Sequence, residues 1–257
     1  MQRRKKQSDE MSFFGHFKEM RKVLLFSAYA IAIGAILGWV FSDYAFRFLA
    51  IPMSGLSEVH FITTTPMEPL MVKLKVSLIL GVVVALPIIL WQLWSFILPA
   101  LKSNERKYLY FIFPSSLLLF FAGAAFVILF VLPICLKFLL LAGIGAIDTT
   151  PFVTKSSYIN FVFTLALSFG LFFQLPIVLI LLIRIGVISP QALAKYRKWA
   201  FFVIVILAVV LSPTPDLMTQ VLIIGPMYLL YEISIWVGYI VVRRRTKMLK
   251  REEEEVS

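Results

Sequence analysis

What most constrains this chain is a succession of long apolar runs almost free of charge. Six stand out: Val23 to Phe41, Val76 to Leu98, Tyr108 to Leu132, Phe161 to Ile183, Trp199 to Leu211 and Val221 to Val242, and the only Asp, Glu, Lys, Arg or His inside them is Glu232. A helix needs roughly 20 apolar residues to cross about 30 Å of hydrocarbon, so these runs predict six transmembrane helices. With 60% hydrophobic and 15% charged residues and a mean hydropathy of +0.91, no polar stretch remains that could build a core in water. The expected fold class is all-α and polytopic. A single membrane domain is expected over residues 1–257, divided into an amino terminus 1–22, a six-helix region 23–242 and a tail 243–257.

The fifth run is short. Its 13 residues reach only about 20 Å as a helix, and Pro213 and Pro215 stop it just beyond Leu211. Such a span implies local thinning of the bilayer or a shielded position.

Orientation follows from the basic residues, because Lys and Arg in short flanks stay on the cytoplasmic side. Twenty of the 25 fall in segments 1–22, 99–107, 184–198 and 243–257, which alternate with the segments holding Arg47, Lys73, Lys75, Lys137 and Lys155. Six spans put both termini on one side, so N-in and C-in are expected. The basic start, Gln2-Arg3-Arg4-Lys5-Lys6, is followed by Asp9, Glu10 and Glu19 with no small-residue cleavage site, and it reads as a cytoplasmic anchor instead of a signal peptide. The net charge of +11 is spent on this anchoring pattern, and no nucleic-acid partner is expected. The acidic end Glu252 to Glu255 reads as a solvated, disordered tail.

Catalytic chemistry is not legible. The single Cys135 sits in an apolar run and excludes an intramolecular disulfide, and His16 and His60 fall in segments expected on opposite sides of the membrane. No zinc-binding His-Glu-x-x-His, nucleophile elbow or phosphate loop occurs. No catalytic residue, metal or cofactor is expected. A small-solute transporter would place ionisable residues near the midplane, and only Gln174 and Glu232 are offered there.

The polar residues that need explaining are few. Glu232 lies four residues after Tyr228, so either a hydrogen bond along one helix face or a binding role accounts for it. Gln174 sits in mid-span before Pro176, which loosens the backbone there; an interhelical hydrogen bond is the plain reading. Glu19 and Glu105 each stand among cations, as interfacial ion pairs or as something more specific. Asp216 follows a Pro-rich turn where it can cap the next helix.

Three blocks carry a resemblance. The stretch His16-Phe17-Lys18-Glu19-Met20-Arg21, the run from Pro66 and Glu68 through Lys73, Lys75, Pro87, Gln92, Trp94, Phe96, Pro99 and Leu101 to Glu105-Arg106, and Ser212-Pro213-Thr214-Pro215-Asp216 with Gln220, Pro226-Met227-Tyr228 and Glu232 resemble the C subunit of the twin-arginine protein translocase, TatC, over about Phe14 to Gly238. The resemblance implies a cupped, concave wall of six helices with a short fifth and sixth. It implies a receptor for the twin-arginine signal peptides of folded precursors that nucleates assembly with single-span subunits of the TatA and TatB type in the bacterial inner membrane, oligomeric and driven by the proton-motive force. Carried over, Glu19 and Glu105 would accept the two arginines, with Phe96, Pro99, Leu101 and Arg106 shaping the site. Gln174 would lie on the concave face, where the family often has Glu, and Ser212, Thr214, Asp216 and Gln220 would contact the partner helices.

Overall fold

The computed structural model describes residues 2–54, 60–97, 109–141, 152–212, 214 and 216–256, with side chains described for 20–53, 61–95, 111–140, 152–212, 214 and 216–243. In chain order the elements are α1 (Gln2–Leu49), α2 (Ile51–Ser54), β1 (His60–Ile62), α3 (Glu68–Ile97), α4 (Leu109–Phe126), a π-helical turn (Val127–Val131), α5 (Leu132–Leu141), β2 (Phe152–Thr154), α6 (Lys155–Phe172), α7 (Leu175–Arg184), α8 (Pro190–Lys195), α9 (Arg197–Leu211) and α10 (Leu217–Val256). Among the described residues five stretches are long and apolar enough to cross a membrane: Met20–Met53, Glu68–Ser95, Phe111–Leu140, Lys155–Arg184 and Leu217–Arg243. They are the first, second, third, fourth and sixth of the expected spans, each longer than its apolar run because helix continues into the polar flanks. The fifth is α9, whose 15 residues extend about 22 Å.

Two expectations are corrected. The sixth helix is not short: α10 runs 40 residues, its apolar part alone 27. Nor is the acidic end irregular, because α10 continues as helix to Val256. After Pro226 the chain contains no helix breaker except Gly238, and Lys, Arg, Met, Leu and Glu all propagate a helix once the span has nucleated it.

The chain divides into two compact units. The first comprises Met1–Phe48 and Thr63–Leu117. Its α1 and α3 cross almost backbone to backbone: a Cβ added at Gly81 would lie 2.7 Å from the Ile31 carbonyl oxygen and the Ala35 nitrogen, and one at Gly34 would lie 2.9 Å from the Gly81 carbonyl oxygen. In lipid, where burial of apolar surface drives nothing, such close approach supplies the packing energy. The Trp94 indole N–H donates to the Ser116 hydroxyl at 3.0 Å inside this unit, and Trp91 meets Phe113 edge to face. At the start of α3 the carboxylate of buried Glu68 accepts from the Thr64 N–H at 2.7 Å and from its hydroxyl at 3.0 Å, pinning the turn before the helix. Lys73 pairs with Asp43 at 3.2 Å while lying over the Trp39 ring, a second tie between α3 and α1.

The second unit comprises Leu49–Ile62 and Leu118–Ser257. Val127, Leu132, Cys135, Leu165, Phe169, Met227 and Ile235 are buried in its core. The π turn has a clear origin. Pro133 has no N–H to give to Leu129 and its ring crowds that carbonyl, so the preceding turn widens and the Leu132 N–H reaches back five residues to the Val127 carbonyl. Near this point α4 and α6 touch closely, with the Phe120 ring against Gly170 and the Phe169 carbonyl against Gly123. Strands β1 and β2 pair in parallel, Phe61 opposite Val153, and Phe61 stacks edge to face on Tyr158, whose hydroxyl donates to the Leu49 carbonyl. The segments after the first and third spans thus hold each other. Helix α7 ends where Gly186 adopts φ 81°, a left-handed conformation that a side chain would strain.

Candidate functional site

Gln174 lies at a break in the fourth span. Pro176, in the first turn of α7, cannot donate to the preceding carbonyls, so α6 closes at Phe172, the Gln174 N–H bonds to Leu171 three residues back, and α7 starts at Leu175. The residue is 9% exposed and is engaged in an interaction of its own, so its amide is a buried polar group in the membrane-spanning region. Being neutral, it donates and accepts hydrogen bonds without carrying charge.

The turn between α9 and α10 is a closed hydrogen-bond circuit. The Ser212 hydroxyl donates to the Thr214 carbonyl at 2.6 Å, the Thr214 hydroxyl to one Asp216 oxygen at 2.6 Å, and the other Asp216 oxygen accepts the Thr219 N–H at 2.7 Å. Asp216 is therefore the cap of α10, the structural role open to it from sequence. Burial pushes its carboxyl upward, but the bonds from the Thr214 hydroxyl and the Thr219 N–H outweigh that and hold it below the usual carboxylate range. Ser212, Thr214 and Asp216 are thus joined by their side chains, and Gln220 lies one helical turn beyond Asp216, its N–H bonded to the Asp216 carbonyl.

Glu232 is claimed by a partner that sequence reading missed. Arg197, at the start of α9, meets it with two parallel bonds, Nε to Oε1 at 2.8 Å and Nη2 to Oε2 at 2.9 Å, and the Tyr228 hydroxyl donates to Oε1 at 3.0 Å. The along-helix bond from Tyr228 was visible in the four-residue spacing. The cation was not, since it sits 35 residues away and counted only as part of a basic flank. The residue before Glu232 adds a tie: the Tyr231 hydroxyl donates to the Leu193 carbonyl, so α10 is tied to both α8 and α9. A bidentate guanidinium satisfies the carboxylate and leaves it no free charge for carrying an ion, which removes the main support for a small-solute transporter.

Glu105, Pro99, Leu101 and Arg106 lie outside the described residues, as do the side chains of Glu19 and Phe96, whose backbones belong to α1 and to the end of α3.

A family model described as Sec-independent protein translocase protein (TatC) matches residues 15–226. The chain belongs to the TatC family. TatC of Carboxydothermus hydrogenoformans is 41% identical over 229 residues, covering 89% of this chain and 93% of that protein. TatC of Aquifex aeolicus is 40% identical over 236 residues, covering 91% and 98%. A crystal structure of a twin-arginine translocase receptor, TatC, superposes with a TM-score of 0.79 at 41% identity over 88% of this chain and 99% of that one. Membership in this family makes the chain a multi-pass membrane subunit of a protein translocase and not an enzyme. The TatC match contains both carboxylates of interest, Glu19 and Glu105, and the whole α9–α10 turn.

Proposed function

We propose that this chain is the receptor and assembly core of a twin-arginine translocase in a bacterial inner membrane, with both termini in the cytoplasm and the whole of 1–257 acting as one membrane domain. The observation that carries the reading is the family match across residues 15–226, supported by the 0.79 TM-score to a structure of that receptor. In this reading Glu19 and Glu105 accept the two signal arginines of a folded precursor, and Phe96, Pro99, Leu101 and Arg106 shape the site around them. A guanidinium offers a planar fork that a carboxylate meets with two parallel hydrogen bonds, whereas lysine offers a point charge, so an arginine pair is preferred. The many neighbouring cations repel generic polycations, and selectivity arises from two local pairs set against that field.

The apolar part of the signal then enters the lipid beside Gln174, where an amide gives a hydrogen-bonding spot without charge. The Ser212, Thr214, Asp216 and Gln220 edge receives the single-span partner subunits, several copies of this chain assemble in the complex, and the proton-motive force drives export.

The test is crosslinking of a twin-arginine precursor to the protein in membranes. Glu19→Ala and Glu105→Ala are each expected to lower the crosslink by about tenfold or more, as loss of a charge-assisted bidentate pair implies. Wild-type crosslinking in both variants would refute the site. A precursor with its arginine pair changed to lysines is expected to mimic them.

A further inference from the structure

Within the second unit, α5, β2, α6 and the turn before α10 surround a cavity of about 460 Å³, a volume in the range of ligand-binding clefts. Its apolar wall is Leu136, Leu139 and Leu140 of α5, Val153 of β2 and Phe161 of α6. The polar groups among its described residues are all uncharged: Ser157, Tyr158, Asn160, Thr164 and Thr214. Tyr158 and Thr214 already donate their hydroxyls, to the Leu49 carbonyl and to Asp216, and Ser157 accepts from Thr154. Asn160 and Thr164 are engaged by no hydrogen bond among the described residues, and at four residues' spacing they lie one above the other on a single face of α6. One cation stands beside the cavity. Lys137 is exposed on α5, next in sequence to Leu136 and one turn before Leu140, and it has no ion pair among the described residues. It is the sole charged residue from Leu109 to Leu141.

We infer that this cavity holds one anionic phospholipid, with its phosphate on Lys137, its glycerol esters on Asn160 and Thr164, and an acyl chain against the leucines. Charge and depth support that occupant. A lysine on an apolar helix lays its stem along apolar surface and carries its ammonium to the membrane boundary, where an unpaired cation is drawn to anionic lipid. Asn160 lies about 8 Å and Thr164 about 14 Å along α6 from Lys155 at its start, just below an interfacial layer of about 6 Å. An amide and a hydroxyl facing hydrocarbon alone are costly there. The ester and phosphate oxygens of a phospholipid offer them acceptors at that level, which neither an acyl tail nor an apolar side chain does.

The test reconstitutes the full-length protein in vesicles of phosphatidylglycerol and phosphatidylcholine, one or the other carrying a diazirine near the end of an acyl chain, and maps the photo-adducts by peptide mass spectrometry. Phosphatidylglycerol adducts on residues 136–140 and 153–164 are expected to exceed those on the lipid-facing residues 199–210 of α9 by about fivefold. K137Q is expected to lower the phosphatidylglycerol adduct about fivefold while leaving the phosphatidylcholine adduct as it was. N160A should lower both about fivefold, and Thr164→Trp, which fills the cavity, should abolish the excess over α9. Thermal melting in detergent identifies a misfolded Thr164→Trp protein, in which case the two variants at exposed positions decide the matter. Cavity adducts no more frequent than those on α9 would mean ordinary boundary lipid and overturn the inference. So would equal labelling by the two lipids that K137Q leaves unchanged, since Lys137 would then serve only the carboxy-terminal end of α5. A benzoylphenylalanine at Leu139 that crosslinks a second protein in membranes, with the lipid adduct missing, would give the cavity to a protein partner and overturn it as well.

Discussion

At the scale of single residues, Asp216 and Glu232 are paired by neighbours that the chain brings from two distances. Asp216 finds Thr214 and Thr219 within three residues, a local pattern legible as a cap once the Pro-rich turn is recognised. Its folded carboxyl lies below its unfolded value, so the stability it contributes is present at pH above the unfolded carboxylate range and is lost as pH falls through the depressed folded value. Asp216→Ala is expected to lower thermal stability in detergent by about 1 kcal/mol and to flatten the acid limb of the stability profile, measured from pH 3 to 7; an unchanged acid limb would contradict the cap. Glu232 is the opposite case. Its along-helix partner Tyr228 could be read from sequence, but Arg197 could not, because a contact between the start of one helix and the middle of the next has no periodic signature. Glu19 and Glu105, proposed to receive the signal arginines, are singled out only by the family resemblance, since a carboxylate among cations is otherwise an ordinary surface pair.

At the scale of elements, hydropathy located the five long apolar helices, and prolines account for the irregularities within them. Pro176 breaks the fourth span at Gln174, as its position foretold, and Pro133 produces a π turn that apolar periodicity does not reveal, because the run stays apolar on all sides. Glycines decide how closely helices pack. Gly81 faces backbone atoms of α1 at 2.7 Å, whereas Gly225 in α10 has no atom within 4 Å of the position a Cβ would take. Gly81→Ala is therefore expected to cost about 1–3 kcal/mol, since the α1 backbone must move, while Gly225→Ala should be neutral. Thermal unfolding in detergent distinguishes them, and equal melting temperatures for the two variants would argue against the crossing. Nothing in the sequence separates these two glycines, since each lies in an apolar run.

For the whole molecule, orientation is the property that lipid and charge impose together. Twenty of 25 basic residues lie in alternate segments, and the proposed N-in, C-in orientation rests on the cost of moving them across the bilayer. In a Cys135→Ala background, Gln2→Cys and Ser257→Cys are each expected to react with a membrane-impermeant maleimide in inside-out vesicles and to stay unlabelled in intact spheroplasts. Labelling of either one in spheroplasts would reverse the topology. The amino-acid sequence by itself determined the membrane class, the positions of the spans and the charge asymmetry, because water, hydrocarbon and headgroups sort residues by transfer free energy one segment at a time. Only the tertiary structure decided that Arg197 closes on Glu232 and that α1 and α3 meet at Gly34 and Gly81. Those outcomes depend on which backbone lies beside which, and pairwise packing between distant segments leaves no mark in local composition.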